Sequence, residues 1–216
     1  RVLNVFRHAR RSWMSREALV APPLLAAASA ATFAAAFAGP AALPLAAVAA
    51  LLALAFVYCQ GRILQAARGI PAWRSRFTTP LVVATALAEG AGLWLLLAGR
   101  PATLAMWAGL ALALVARIVL WSAWRGSLDG TPRARAAADQ AGRVLKPSTL
   151  LPLAAALLLV LAPMPQAVGL ALQWAAGALA LAGGAWFKYT LVTRVAFNQG
   201  FAIPHPPVRG ARRQEA

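Results

Sequence analysis

The sequence predicts an all-α protein, a polytopic transmembrane helical bundle with about six spans. The composition points there first: 61% of residues are hydrophobic and 12% are charged, which excludes a soluble globular domain. The charges are also clustered. Between the clusters lie Ala/Leu/Val-rich stretches of roughly 18–24 residues, and about 20 apolar residues at 1.5 Å rise cross the ~30 Å hydrocarbon layer. Basic and neutral loops, finally, alternate along the chain in the positive-inside pattern. A formal net charge of +16 would in a soluble protein suggest nucleic acid, but here it sorts by loop.

The spans are expected near residues 19–38, 43–58, 81–98, 103–122, 150–162 and 166–191, forming one membrane-anchor domain over residues 1–216 with a basic tail at 195–216. Arg1, Arg7, Arg10, Arg11 and Arg16 precede the first span, and Arg62, Arg68, Arg74 and Arg76 follow the second. Arg125, Arg133, Arg135, Arg143 and Lys146 follow the fourth, and Lys188, Arg194, Arg209, Arg212 and Arg213 sit at or beyond the end of the sixth. The intervening short loops carry only Arg100. The fifth stretch, about 13 residues, is short for a span, yet the alternation holds only if it crosses. Both ends of the chain are then expected in the cytoplasm. Trp94, Trp107 and Trp174 fall near the expected outer ends and Trp121, Trp124 and Trp186 toward the inner ends, as an aromatic belt would. Residues 125–148 read as a loop with a short surface helix, and the Pro/Gly-rich connection 68–80 as a segment lying in the interface. The chain begins at Arg1 inside a basic segment, so upstream residues are expected.

Charge inside the membrane is costly and marks candidate functional residues. Glu89 lies near the middle of the third span and Arg117 at a matching depth in the fourth, predicting a contact between them, direct or through water. It reads either as a structural ion pair or as part of a proton path or quinone-ring contact. Glu17 stands where the first basic segment enters the membrane, beside Trp13, Ser15 and Arg16. It reads either as an acid favouring the helix dipole with Ser15 as cap, or as a proton acceptor for a quinol hydroxyl. Cys59 reads as a small apolar residue; being alone, it makes no intrachain disulfide and no CxxC metal site. His8 and His205 lie outside the spans, so paired axial ligands for a haem are not expected. No nucleophile elbow, P-loop, dinucleotide fingerprint or zinc motif occurs, and a self-contained enzyme is not supported.

Three segments carry a resemblance: Val2-Leu3-Asn4-Val5-Phe6-Arg7 leading into Ser12-Trp13-Met14-Ser15-Arg16-Glu17; Arg62 through Gly69-Ile70-Pro71-Ala72-Trp73 to Thr79-Pro80; and Lys188-Tyr189 through Arg194 to Phe197-Asn198-Gln199-Gly200. In these the chain resembles the dimethyl sulfoxide reductase anchor subunit (DmsC-like) family, and its tail is similar to anchors of phenylacetyl-CoA:acceptor oxidoreductases. The resemblance implies a haem-free bundle of eight helices in the complete family member, so that two helices would precede Arg1. It also implies a chain that holds no iron–sulfur cluster or molybdopterin itself. Such a chain anchors an iron–sulfur electron-transfer subunit and a molybdopterin catalytic subunit in the bacterial cytoplasmic (inner) membrane. It exchanges electrons with menaquinone or ubiquinone in anaerobic-type respiration.

By the same resemblance Glu17 belongs to the quinol site, with Trp13, Ser15 and Arg16 around it. The family's His-Leu-Gly segment, which supplies a second quinol-site residue, would lie before Arg1. Arg7, Arg10, Arg11, Arg74 and Arg76 would dock the partner subunits or bind anionic lipid. Two other functions fit the same sequence. A small-molecule or ion transporter would use Glu89 and Arg117 near the midplane, although no internal repeat is seen. A purely structural anchor would bind partners and no quinone.

Overall fold

The computed structural model describes residues 12–37, 39–67, 69–128, 132–162 and 164–196. Seven α-helices occur among them: α1 (Trp13–Ala36), α2 (Ala42–Ala66), α3 (Thr78–Leu97), α4 (Leu104–Gly126), α5 (Pro132–Leu145), α6 (Pro147–Leu161) and α7 (Gln166–Thr193), with a 3-10 turn at Pro71–Arg74. Six helical segments are long and apolar enough to cross a membrane, as the composition predicted. The end of the bundle where α1 begins and α7 finishes carries most of the described arginines and is termed the basic end.

The helices overrun the apolar stretches on the basic side, because Arg, Gln and Glu are good helix formers and nothing there breaks the backbone. Thus α1 begins at Trp13 and α2 continues to Ala66, which brings Arg16, Glu17, Arg62 and Gln65 onto helices. Ser15 is therefore not a cap. Ser12 occupies the N-cap position and makes no side-chain cap bond, while Ser15 is buried inside the first turn.

The fifth crossing differs most from expectation. The 15-residue α6 reaches only about 22 Å at 1.5 Å per residue, but it is continued by α5, the two parting only at Lys146. Their contacts with α4 run in steady antiparallel register: Arg117 meets Ser148 and Thr149, Trp121 meets Gly142, and Arg125 meets Asp139. The segment expected as a loop with a short surface helix forms α5, an amphipathic helix that continues the crossing toward the basic end. Its alanine face (Ala134, Ala137, Ala138, Ala141) is buried and its charged face is turned outward. A run of alanines in polar sequence has no strong apolar signal, which is why the crossing looked short.

Two apolar clusters fill the bundle. Near the basic end, Trp121, Trp124, Phe187 and Leu191 pack on the α5 alanines, Leu81 and Ala72. Toward the other end, Ala88, Leu95, Leu110, Leu114, Ala176 and Ala180 form the second. In lipid there is no hydrophobic drive between helices, so close van der Waals contact must hold them, and small residues permit it. Gly92 and Gly177 bring the α3 and α7 backbones together: a Cβ on Gly177 would stand 2.5 Å from the Gly92 carbonyl oxygen. Gly90 and Gly109 face open space and serve no such contact.

Buried polar groups close both ends. The segment expected to lie in the interface is instead plugged into the bundle: Ala72 is buried, its carbonyl accepts from Trp124 Nε1 (3.2 Å), and Trp73 Nε1 donates to the Leu191 carbonyl (3.0 Å). Trp121 and Trp124 are accordingly core residues rather than belt residues, as is Trp107; Trp94 and Trp174 are exposed as expected of a belt. At the opposite end, buried Gln173 donates to the carbonyls of Leu95 (3.0 Å) and Arg100 (3.1 Å) and accepts from Ala102 N (2.8 Å). One side chain thereby satisfies an orphan carbonyl in the last turn of α3 and ties down the loop that follows.

Replacing Gly177 with Val should lower stability by about 1–3 kcal/mol through overpacking, whereas Gly90→Val should stay within ~0.5 kcal/mol. Unfolding in mixed detergent micelles measures both.

Candidate functional site

Between the two apolar clusters lies a polar layer. Arg117 of α4 is fully buried and four of its contacts are hydrogen bonds: Nε to Thr149 Oγ1 (3.2 Å), Nη2 to the same oxygen (2.7 Å), Nη2 to the Ser148 carbonyl (2.8 Å), and Nη1 to the Ala180 carbonyl (3.1 Å). The Ser148 carbonyl is available for a reason visible in the chain. Its helical donor would be residue 152, which is Pro152 inside α6 and has no N–H. Arginine from a neighbouring helix supplies the donor that proline removes.

Glu89 makes no hydrogen bond or ion pair with Arg117, so the direct form of the expected contact is not seen, although the carboxylate's charge acts on the guanidinium. Its carboxylate pairs with Lys188 of α7, crossing the gap left by Gly184, where a Cβ would come within 2.5 Å of Glu89 Oε1. Gly183 next to it faces Ser148, whose hydroxyl occupies the space a Cβ would need. Lys188 was assigned by sequence to the basic tail end of the last span, but α7 runs on to Thr193, which puts the ammonium level with Glu89. The side chains of Glu89 and Lys188 retain 13% and 38% exposure. The layer therefore joins α3 to α7 by an ion pair and α4 to α6 and α7 by one guanidinium.

The second polar group sits at the basic end of the α1–α2 pair. Trp13 is its centre. The guanidinium carbons of Arg16 and Arg62 lie 4.2 and 4.8 Å from its ring centroid, and Tyr58 meets it edge-on at 5.8 Å. Each cation–π contact contributes roughly 0.5–2 kcal/mol. Arg62 Nη1 donates to Gln65 Oε1 (3.1 Å), which also accepts from Thr79 Oγ1 (3.1 Å), and Gln65 Nε2 donates to the Ser75 carbonyl (3.2 Å). Arg62 Nε is buried and has no partner among the described residues.

Glu17 lies one turn beyond Trp13 on the same face of α1 and is partly buried. It makes no hydrogen bond or ion pair with another described residue, although its charge and that of Arg16 both act on the buried thiol of Cys59. Being past the first turn of α1, it is poorly placed to serve the helix dipole, which acts only over that turn.

The structure thus places Trp13, Arg16 and Glu17 on the same turns of α1 and adds Tyr58, Arg62, Gln65 and Thr79, none of which the sequence assigned to this site. Ser15 is buried nearby on α1. The signal for Arg62 was present: after Tyr58 the chain runs Cys59 to Ala66 without a proline, so the helix was free to continue. Arg74 and Arg76 are exposed, the latter over the Phe77 ring at 4.8 Å. Arg7, Arg10 and Arg11, with His8 and His205, lie outside the described residues. Among the described residues no three His, Cys, Asp or Glu side chains gather as a metal site.

Arg117→Met should cost about 2 kcal/mol or more by leaving the Ser148 carbonyl without a donor. Pro152→Ala, which restores the N–H, should be about 1 kcal/mol more favourable in the Arg117→Met background than in the parent. A double-mutant unfolding cycle tests the pairing; zero coupling would refute it.

No protein family, no curated protein and no solved structure matches this chain.

Proposed function

We propose that the chain is a haem-free membrane-anchor subunit of a molybdopterin/iron–sulfur oxidoreductase complex, and that the α1–α2 cluster exchanges electrons and protons between a membrane quinone and the iron–sulfur partner. The bacterial cytoplasmic membrane is the proposed location, with the basic end facing the cytoplasm and both described ends of the chain on that side. The observation that carries the reading is the buried Arg62 Nε, without a partner among the described residues, beside Trp13, with Glu17 one turn on along the same face of α1. A buried N–H left without an acceptor costs about 1–3 kcal/mol, and a ligand carbonyl would satisfy it.

The residues present fit a quinone head. Trp13 and Tyr58, set edge to face, offer an aromatic corner, Arg62 a directed donor, and Glu17 a carboxylate able to take or return a proton. When bound, the quinone supplies two-electron, two-proton redox chemistry. Arg62 would orient the ring oxygen, Glu17 would hold the proton, and the cations over Trp13 fix the indole. Exposed Arg74 and Arg76 belong to the surface on which the iron–sulfur partner would dock. The Glu89–Lys188 pair and Arg117 are assigned a structural role, because their charged groups are taken up by contacts between helices.

Glu17→Gln should reduce quinol-linked turnover by roughly 100-fold while leaving the complex assembled, measured as quinol oxidation alongside native mass spectrometry. Normal turnover in that variant removes the proton-transfer role. A parent chain that purifies without an iron–sulfur protein, a molybdopterin protein or quinone refutes the anchor reading.

A further inference from the structure

A cavity of about 450 Å³ opens at the basic end between α4 and α5. Its walls are Trp121, Ser122 and Arg125 from α4, Asp139, Gly142 and Arg143 from α5, and Lys146 at the junction of α5 and α6. Residues 139, 143 and 146 share one helical face by their spacing of four and three. Arg125 and Asp139 form a two-point ion pair, one bond of which is 3.0 Å, so their charges cancel. Arg143 and Lys146 are both exposed and neither pairs with a carboxylate among the described residues. The cavity therefore carries about two surplus positive charges.

Trp121 in its wall is 4% exposed. The benzo edge of the indole rests on Gly142: a Cβ there would lie 2.5 Å from Cζ2 and 2.9 Å from Cη2. Lys146 Nζ stands 5.4 Å from the same ring. An oxygen acceptor bearing negative charge, reached by two cations, is the missing complement.

What lies beside the cavity along α4 identifies the source of that oxygen. From Ser122, the positions three, seven and ten residues back are Val119, Val115 and Leu112, which lie on one helix face and are 59%, 46% and 73% exposed. On α6, beyond Lys146, Leu150 and Leu157 are likewise exposed. Polar cavity and apolar strips adjoin as the head and chains of a phospholipid do.

We propose that the α4–α5 cavity is a specific site for the phosphodiester head of an anionic phospholipid, held by Arg143 and Lys146, with the acyl chains lying along Val119, Val115 and Leu112. It is independent of the quinone reading, since it shares no residue with that cluster.

The test uses the delipidated full chain in neutral detergent, titrated with phosphatidylglycerol or phosphatidylcholine and read by native mass spectrometry. One phosphatidylglycerol should be retained about 30-fold more tightly than phosphatidylcholine, and Arg143→Gln with Lys146→Gln should abolish that preference, at about a factor of five per cation. Both replaced cations are exposed, so the thermal midpoint without lipid should not move. Equal retention of the two lipids, or an undiminished preference in the double variant, overturns the proposal. Displacement of the phosphatidylglycerol by millimolar inorganic phosphate overturns it too, and assigns the cavity to free phosphate.

Discussion

The guanidinium of Arg117 is the constraint around which the central bundle is arranged. A charge that deep is tolerable only when its N–H groups meet oxygens, and in hydrocarbon those oxygens must come from the protein. Two of its acceptors are backbone carbonyls on different helices and the third is the Thr149 hydroxyl, so α4, α6 and α7 are fixed to one another at a single depth. The other features of the layer follow. Pro152 frees one carbonyl, Gly183 lets Ser148 come close enough to present it, and Gly184 opens the neighbouring space through which Glu89 reaches Lys188. The bend at Lys146 then carries α5 away beneath α4, where its alanines meet Trp121 and Trp124.

The α1–α2 pair is built differently. Only 6% of the apolar window of each is buried, against 33–39% in the other crossings, and its attachment runs mainly from α2 to α3. Its fixed point is at the basic end, where Gln65 links Arg62, Thr79 and the Ser75 carbonyl and a close approach at Gly61 seats α2 on Thr79. Positioned polar chemistry and a sparsely covered pair of helices thus occur in the same part of the molecule. This is a suitable arrangement for a surface that meets lipid-soluble molecules or other subunits.

The fold class was legible because hydrophobic length and loop charge are one-dimensional properties. So was the singling out of Glu89 and Arg117, which the structure places in the polar layer, since charge next to hydrocarbon stands out in any reading. Their partners were not legible. Glu89 and Arg117 match in depth, but depth alone does not say which faces of α3 and α4 are turned together, and Lys188, near the end of the expected sixth span, was read only as one of its flanking basic residues. Gln173, Thr149 and Gln65 are neutral polar residues whose hydrogen bonds join positions far apart in sequence. Nothing local marks them. The role of Pro152 needs both the helix and the neighbour that replaces its lost donor before it can be recognised.

The distance along the chain between Arg117 and its last acceptor bears on how the protein is made. Ala180 follows Arg117 by 63 residues, an interval of about 3–13 s at a synthesis rate of roughly 5–20 residues per second. During that interval α4 has left the ribosome but the carbonyl that completes its charge has not yet been polymerised. The fourth helix therefore reaches its final depth late, when the sixth apolar stretch arrives, and the four helices of the polar layer settle into the bilayer together rather than one by one.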